Sequence, residues 1–341
     1  MTRSRALDAV CGHLRAGLLG ARPPKPHPWL GWEQLIEVSR SHCVAPALAW
    51  CLREETLLPT GMRRYFDAVL MLNGRRNEKL LKGLARVATV LNAVDVEPVL
   101  LKGAAHLVEG VYPTRSLRVV GDLDVLVAEN RLASAAEALQ KIGFKAGGPA
   151  QPENHHHWPM LFDPETGAAV ELHASALHRR SELIIPAAQF HRNTRSVTFR
   201  GARVRLPDAT RTAGHNIVHD ALDHEGHLHQ RVELRQLLDL VMIRMRHETA
   251  IDWAELDRCF SAAGVGHVLA ANLKSAELLF GMPVPRVLRS IQRQRRWNRI
   301  ARMPRDYLAA RRRDPAGVFD LLRPKTWPER ITRLQKAFHR S

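Results

Sequence analysis

Leu100-Leu101-Lys102-Gly103-Ala104-Ala105 and, further on, Gly121-Asp122-Leu123-Asp124-Val125-Leu126-Val127 are the stretch whose reading decides the fold. The run at 125–127 is apolar and β-branched, so it predicts a strand, in which residues i and i+2 share a face. Asp122 and Asp124 therefore aim together. Two carboxylates that close are not both ionised cheaply unless a cation sits between them. Mg2+ is typically held by one or two carboxylates together with substrate phosphates. The pair points to a metal-dependent site for phosphates.

Working outward, 96–101 predicts a buried strand that runs into Lys102-Gly103 and a short helix over 104–109. A strand opening a helix in this way offers backbone N–H groups and a positive dipole end to a phosphate chain, and Lys102 adds a point charge. A third acid on an adjoining strand would complete a two-metal arrangement for in-line displacement at phosphorus. Glu171 is the leading candidate, because Val170-Glu171-Leu172-His173 has strand alternation with Glu171 and His173 on one face. Asp163 is the alternative. Arg118, between the two motifs, reads either as a phosphate contact or as the structural partner of Asp122 or of a helix end.

The remaining pattern is helical before this region and after it. Helical spacing covers 7–19, 32–38, 44–52 and 62–93, with Asn73-Gly74 as a candidate break in the last. A strand over 123–127 is followed by a helix over 131–142 closed by Gly143. Strands at 161–163 and 168–173 flank the turn Pro164-Glu165-Thr166-Gly167, and 197–199 with 204–206 flank Arg200-Gly201, so two hairpins extend the sheet. From Ala209 the pattern is helical almost to Phe280. The expected fold class is α/β (α+β), a small mixed-sheet core over 95–207. It is flanked by an N-terminal helical unit (1–94), a C-terminal helical domain (208–282) and a basic helical tail (283–341).

Composition bounds the function. With 341 residues and 45% hydrophobic content the chain can bury a substantial core. Residues 1–20 carry charges and no continuous apolar stretch, so neither a signal peptide nor a membrane span is read there, and the expected location is the cytoplasm. Cys11, Cys43, Cys51 and Cys259 lack C-x-x-C spacing and read as buried thiols. The net charge of +17 is concentrated at the C-terminus, where 283–341 holds 17 Lys and Arg against Asp306, Asp314, Asp320 and Glu329. Such a run reads either as a solvated tail or as a nucleic-acid contact.

Taken in order, Leu101-Lys102-Gly103, Tyr112-Pro113, Arg118 and Gly121-Asp122-Leu123-Asp124-Val125-Leu126-Val127 resemble the polymerase-β-like nucleotidyltransferases. Within them the chain is similar to an uncharacterised group whose core reads Leu-Lys-Gly, Tyr, Arg and Gly-Asp-hydrophobic-Asp. The resemblance covers roughly residues 30 to 280, from a lead-in at Asn77 to the helix bearing His215 and His219. It implies a cleft between sheet and C-terminal helices that binds an NTP and Mg2+ or Mn2+, with transfer of NMP to an acceptor hydroxyl or phosphate and release of pyrophosphate. Asp122 and Asp124 would hold both metals, and Glu171 would hold the catalytic one and help deprotonate the acceptor. Lys102, Gly103, Arg118 and His173 would contact the nucleotide. The chain departs from the wider superfamily in having Ala104 after the glycine and Glu171 where an Asp is usual. No sequence feature identifies the acceptor.

Two rivals are open. A catalytically silent module could keep this fold and bind nucleic acid or protein through 283–341. His219-Asp220, Asp239 and His191 imitate the metal dyad of phosphohydrolases, whereas His215 and His219 at i, i+4 lack the Glu that the zincin pattern requires. His155-His156-His157 reads as exposed loop, and the helical histidines as lining the cleft or packing between the helical domain and the sheet.

Overall fold

The computed structural model describes residues 3–24, 31–147, 157–224 and 233–288. Three helices, α1 (Arg3–Leu19), α2 (Trp32–Ser41) and α3 (Ala45–Cys51), lead into the 34-residue α4 (Thr60–Ala93). The candidate break at Asn73-Gly74 is absent, and α4 runs through it. Gly74 is there for a neighbour instead: a Cβ at that position would stand 2.6 Å from Ser116 Oγ. Early in α4, Tyr65, Phe66 and Val69 belong to a core shared with α1 to α3 and the C-terminal helices. Late in α4, Leu81, Leu84, Val87 and Leu91 belong to a second core beneath the sheet.

The sheet is built from β1 (Val99–Leu100), β2 (Leu123–Leu126), β3 (Lys145–Ala146), β4 (Leu161–Phe162), β5 (Ala169–His173), β6 (Thr194–Phe199) and β7 (Ala202–Pro207). Its order is β3-β4-β5-β2-β1-β7-β6. It is mixed, since β2 runs parallel to β5 and β1 parallel to β7, while β1 and β2 are antiparallel. The two hairpins expected from turn chemistry are β4/β5 and β6/β7, both antiparallel. Helix α5 (Lys102–Glu109) follows β1, α6 (Leu132–Lys141) follows β2, and α7 (Ala187–Arg192) precedes β6. The chain then continues through α8 (Ala209–Val218), a π-turn at His219–Asp223, α9 (Leu234–Arg246), α10 (Trp253–Ala262) and α11 (Gly266–Phe280).

Strand alternation sorts the faces. Leu123, Val125, Val170 and Leu172 lie in the core with α4 and α6. Leu126 lies in the core that holds α8, α9 and α11, so its face of the sheet, which also carries Asp124, Glu171 and His173, turns toward the C-terminal helices. Cys11 and Cys43 are buried, whereas Cys51 and Cys259 are only half-buried. Among the described residues no helix is long and apolar enough to cross a membrane. Beyond Leu288 the basic tail lies outside the described residues, as do His155, His156, His227 and His229.

Candidate functional site

Adjacent parallel strands bring the acids together. In the β2/β5 register Asp124 faces Glu171 and Leu126 faces His173, so one pleated face carries two carboxylates and an imidazole. One ligand atom from each of Asp124, Glu171 and His173 lies within 4.8 Å of the others. His173 Nε2 is 3.0 Å from Asp124 Oδ1 and 3.5 Å from Glu171 Oε2. Asp124 and His173 are 3% and 1% exposed, which removes the water that would otherwise screen them. Reading the strand pattern found Glu171 but cast His173 only as a substrate contact. Its closeness to both carboxylates follows from the register, which no local motif encodes.

Lys102 reaches this cluster from the start of α5, with its Nζ 2.6 Å from Asp124 Oδ1. Its backbone is left-handed, at φ 46°. For a side chain other than glycine that conformation costs about 1 kcal/mol or more, and it persists only where the surroundings impose it. The surroundings do so here. Leu101 N–H donates to the Asp124 carbonyl at 3.0 Å, tying the approach of α5 to β2. A Cβ on Gly103 would come within 2.5 Å of Arg118 Nη1 and 2.8 Å of Val120, so the backbone passes where only glycine fits.

Charge coupling follows from the geometry. Burial alone would push the Asp124 carboxyl up, but Lys102 and His173 outweigh it and hold the group well below the usual carboxylate range. Burial would lower both Lys102 and His173, and Asp124 reverses the sign for each, so both are raised. The hydrogen bond from His173 lowers Glu171. Asp122, one residue ahead of β2, is outside the close metal-ligating group. Burial, then Asp124 and Glu171, push its carboxyl up to about 6. Lys102, His173 and Arg235 are the groups that offset these three acids.

Arg118 is held elsewhere. Its Nε and Nη2 donate to the two oxygens of Asp239 on α9 at 2.9 to 3.1 and 2.8 Å. Arg118 is structurally paired, with Asp239 rather than Asp122, and it also lines the cavity beside Lys102. Tyr112 Oη donates to Asp239 Oδ1 at 2.7 Å, and His106 Nδ1 stands 3.7 Å from the same oxygen. Asn73 and Asn77 of α4 clamp the Arg118 carbonyl, at 3.0 and 2.8 Å, and also reach the carbonyls of Ser116 and Arg115. The segment leading to Asp122 is thus fixed from both sides.

A small cavity of mixed lining opens beside Lys102 between α5, α8 and α9, with Leu101, Ala105, His215, Asn216, His219 and Gln236 among its wall residues. Burial pushes His215 down to about 3 and His219 well below its ordinary value, so both imidazoles are neutral. His157 differs from its sequence reading as exposed loop: it is half-buried, bridged to His173 with ring centroids 5.3 Å apart. Asp163, the alternative third acid, is buried in the β4/β5 turn, accepting from Thr166 Oγ1 and paired with Arg86. Among the described residues His191, His219, Asp220 and Asp239 form no metal-ligating group, so the phosphohydrolase arrangement is not assembled.

A mixed sheet with helices on both faces, presenting two carboxylates and an imidazole beside a lysine, defines an α/β protein with a side-chain cluster that could hold a metal ion. The model of a family described as uncharacterised nucleotidyltransferase matches residues 29–281, and the chain belongs to that family. It is a nucleotidyltransferase. The chain matches no curated protein. A solved antigenic nucleotidyltransferase-like protein from Paracoccidioides brasiliensis aligns with it at 13% identity and a TM-score of 0.38, over 61% of this chain and 94% of that one.

Proposed function

We propose that this nucleotidyltransferase is metal-dependent and moves an NMP from an NTP to an acceptor hydroxyl or phosphate, with release of pyrophosphate. The observation that carries the reading is the convergence of Asp124, Glu171 and His173 within 4.8 Å on one face of β2 and β5. Two carboxylates and an imidazole are a donor set that fits a divalent ion, Mg2+ or Mn2+, the nitrogen favouring the latter. Asp122 adds charge at its edge. When bound, such an ion would stabilise negative charge on phosphoryl oxygens.

The protein's own groups supply the rest. Lys102 offers a compact cation to phosphate oxygens, and the start of α5 at Gly103 offers backbone N–H groups. Glu171, on the open side of the cluster, is placed to take the proton of an acceptor hydroxyl. Arg118 acts by fixing the 115–122 segment through Asp239, Asn73 and Asn77. The rival reading, a nucleic-acid or protein binding module using 283–341, falls on residues that from 289 onward lie outside those described.

Incubating the protein with α-phosphate-labelled NTPs, Mg2+ or Mn2+ and a pool of cellular acceptors tests this directly. Label transfer that chelation abolishes is the expected result. Absence of both transfer and nucleotide binding by calorimetry, with all four NTPs, would overturn it.

A further inference from the structure

Two-ion sites for displacement at phosphorus set their cations about 3.5–4 Å apart on shared oxygens. In this chain the lysine ammonium already stands on one oxygen of the carboxylate that such ions would share. Lys102 Nζ is 2.6 Å from Asp124 Oδ1, and His173 Nε2 reaches that same atom at 3.0 Å. The group able to hold an ion is Asp124, Glu171 and His173, and the second carboxylate that a two-ion site would need, Asp122, is not part of it.

We infer that the site takes a single divalent ion, on Asp124, Glu171 and His173, and that the Lys102 ammonium permanently replaces the second. The inference rests on the metal-dependent reading above and makes it specific. Lys102 is not a loose counterion that an arriving ion would push into solvent. Its side chain is 22% exposed, it leaves a left-handed backbone at φ 46°, and its neighbours Leu101 and Gly103 are buried against β2 and Arg118. From that fixed origin the ammonium has three donors. One is spent on Asp124, and the others remain for phosphate oxygens, the contacts that a second ion makes in a two-ion site. A tethered ammonium does not depart with product, so divalent-ion dependence reduces to one site.

The test is Mn2+ stoichiometry by electron paramagnetic resonance on the full chain, with Mn2+ alone and with a non-hydrolysable α,β-methylene NTP. The wild type is expected to bind one ion per chain with Mn2+ alone and to show no spin-coupled pair in either condition. Lys102→Gln should gain a coupled second ion, and Lys102→Arg, which keeps the charge, should not. A coupled pair in the wild type would overturn the inference while leaving metal dependence intact, and so would a folded Lys102→Gln that still binds one ion. No Mn2+ binding to the wild type at all would instead remove the metal-dependent reading itself. Because the wild-type spectrum alone can refute the inference, failure of Lys102→Gln to fold does not rescue it.

Discussion

Asp124 and Asp239 are two buried aspartates with almost the same immediate company. Each faces a basic side chain and a histidine, Lys102 and His173 for the first, Arg118 and His106 for the second. At both, burial would raise the carboxyl, and at both the cation and the imidazole outweigh burial and hold it well below the usual range. The difference lies one shell out. Around Asp239 one carboxylate meets a bidentate arginine and a tyrosine hydroxyl, and the charges balance. Around Asp124 the acids Asp122 and Glu171 add two more carboxylates, which Lys102, His173 and Arg235 face together. A low carboxyl pKa and deep burial therefore do not distinguish a structural acid from a functional one. The gathering of further acids nearby, which adds to burial in pushing Asp122 up to about 6, does.

The comparison is broken most severely by Asp239→Ala. It leaves the Arg118 guanidinium buried without its partner, and removing one member of a buried pair typically costs about 3–5 kcal/mol. Urea denaturation should show that loss, with activity following the folded fraction. Asp124→Asn also removes a buried partner, of Lys102 and His173, but in addition it should lower nucleotidyl transfer per folded molecule by roughly 10²-fold or more, as expected when a principal electrostatic group is lost. If the two substitutions gave matching profiles, the distinction between the sites would fail.

Gly103→Ala comes next. The new methyl would collide with Arg118 Nη1 and Val120, and overpacking of this kind costs about 1–3 kcal/mol. Thermal melts should register it, with transfer activity falling because the Lys102 backbone shifts. Tyr112→Phe, which removes one hydroxyl from Asp239, should cost only about 1–2 kcal/mol.

The two sites also part with pH. For Asp239 and Asp124 the folded carboxyl titrates below its unfolded value, so their stabilisation is present above the unfolded pKa and is lost as pH falls through the folded one. Asp122 has the opposite sign. Its folded carboxyl is raised from 3.8 to about 6, so stability tied to its protonation is full below 3.8 and is lost as pH rises through about 6. Without divalent ions, Asp122→Asn should therefore raise the urea midpoint at pH 7 and make little difference near pH 4. Equal effects at the two pH values would contradict the placement of Asp122 in an acid-rich surround.

Much of this was legible in the sequence because strand alternation is local. Period two put Glu171 and His173 on one face of their strand, and turn residues gave both hairpins of the sheet. What stayed hidden depends on distance along the chain. Arg118 finds Asp239 on a helix 121 residues later. No spacing rule reaches that far, so the pairing could not be separated from a phosphate contact. Asn73-Gly74 has the composition of a helix break, yet tertiary contact overrides it: Asn73 is spent on the carbonyls of Ser116 and Arg118, and Gly74 admits Ser116. His173 was half visible. Its face was predicted, but its distance from Asp124 is set by the pairing of β2 with β5, which sequence periodicity does not specify.

Calorimetric titration of Mn2+ into the wild-type protein and into Asp124→Asn, both shown to be folded, tests the central claim most directly. The account predicts saturable binding to the wild type and its loss in Asp124→Asn, with binding weakening as pH falls because His173 must shed a proton to act as a ligand. Equal binding to the two proteins, or none to the wild type, would contradict it.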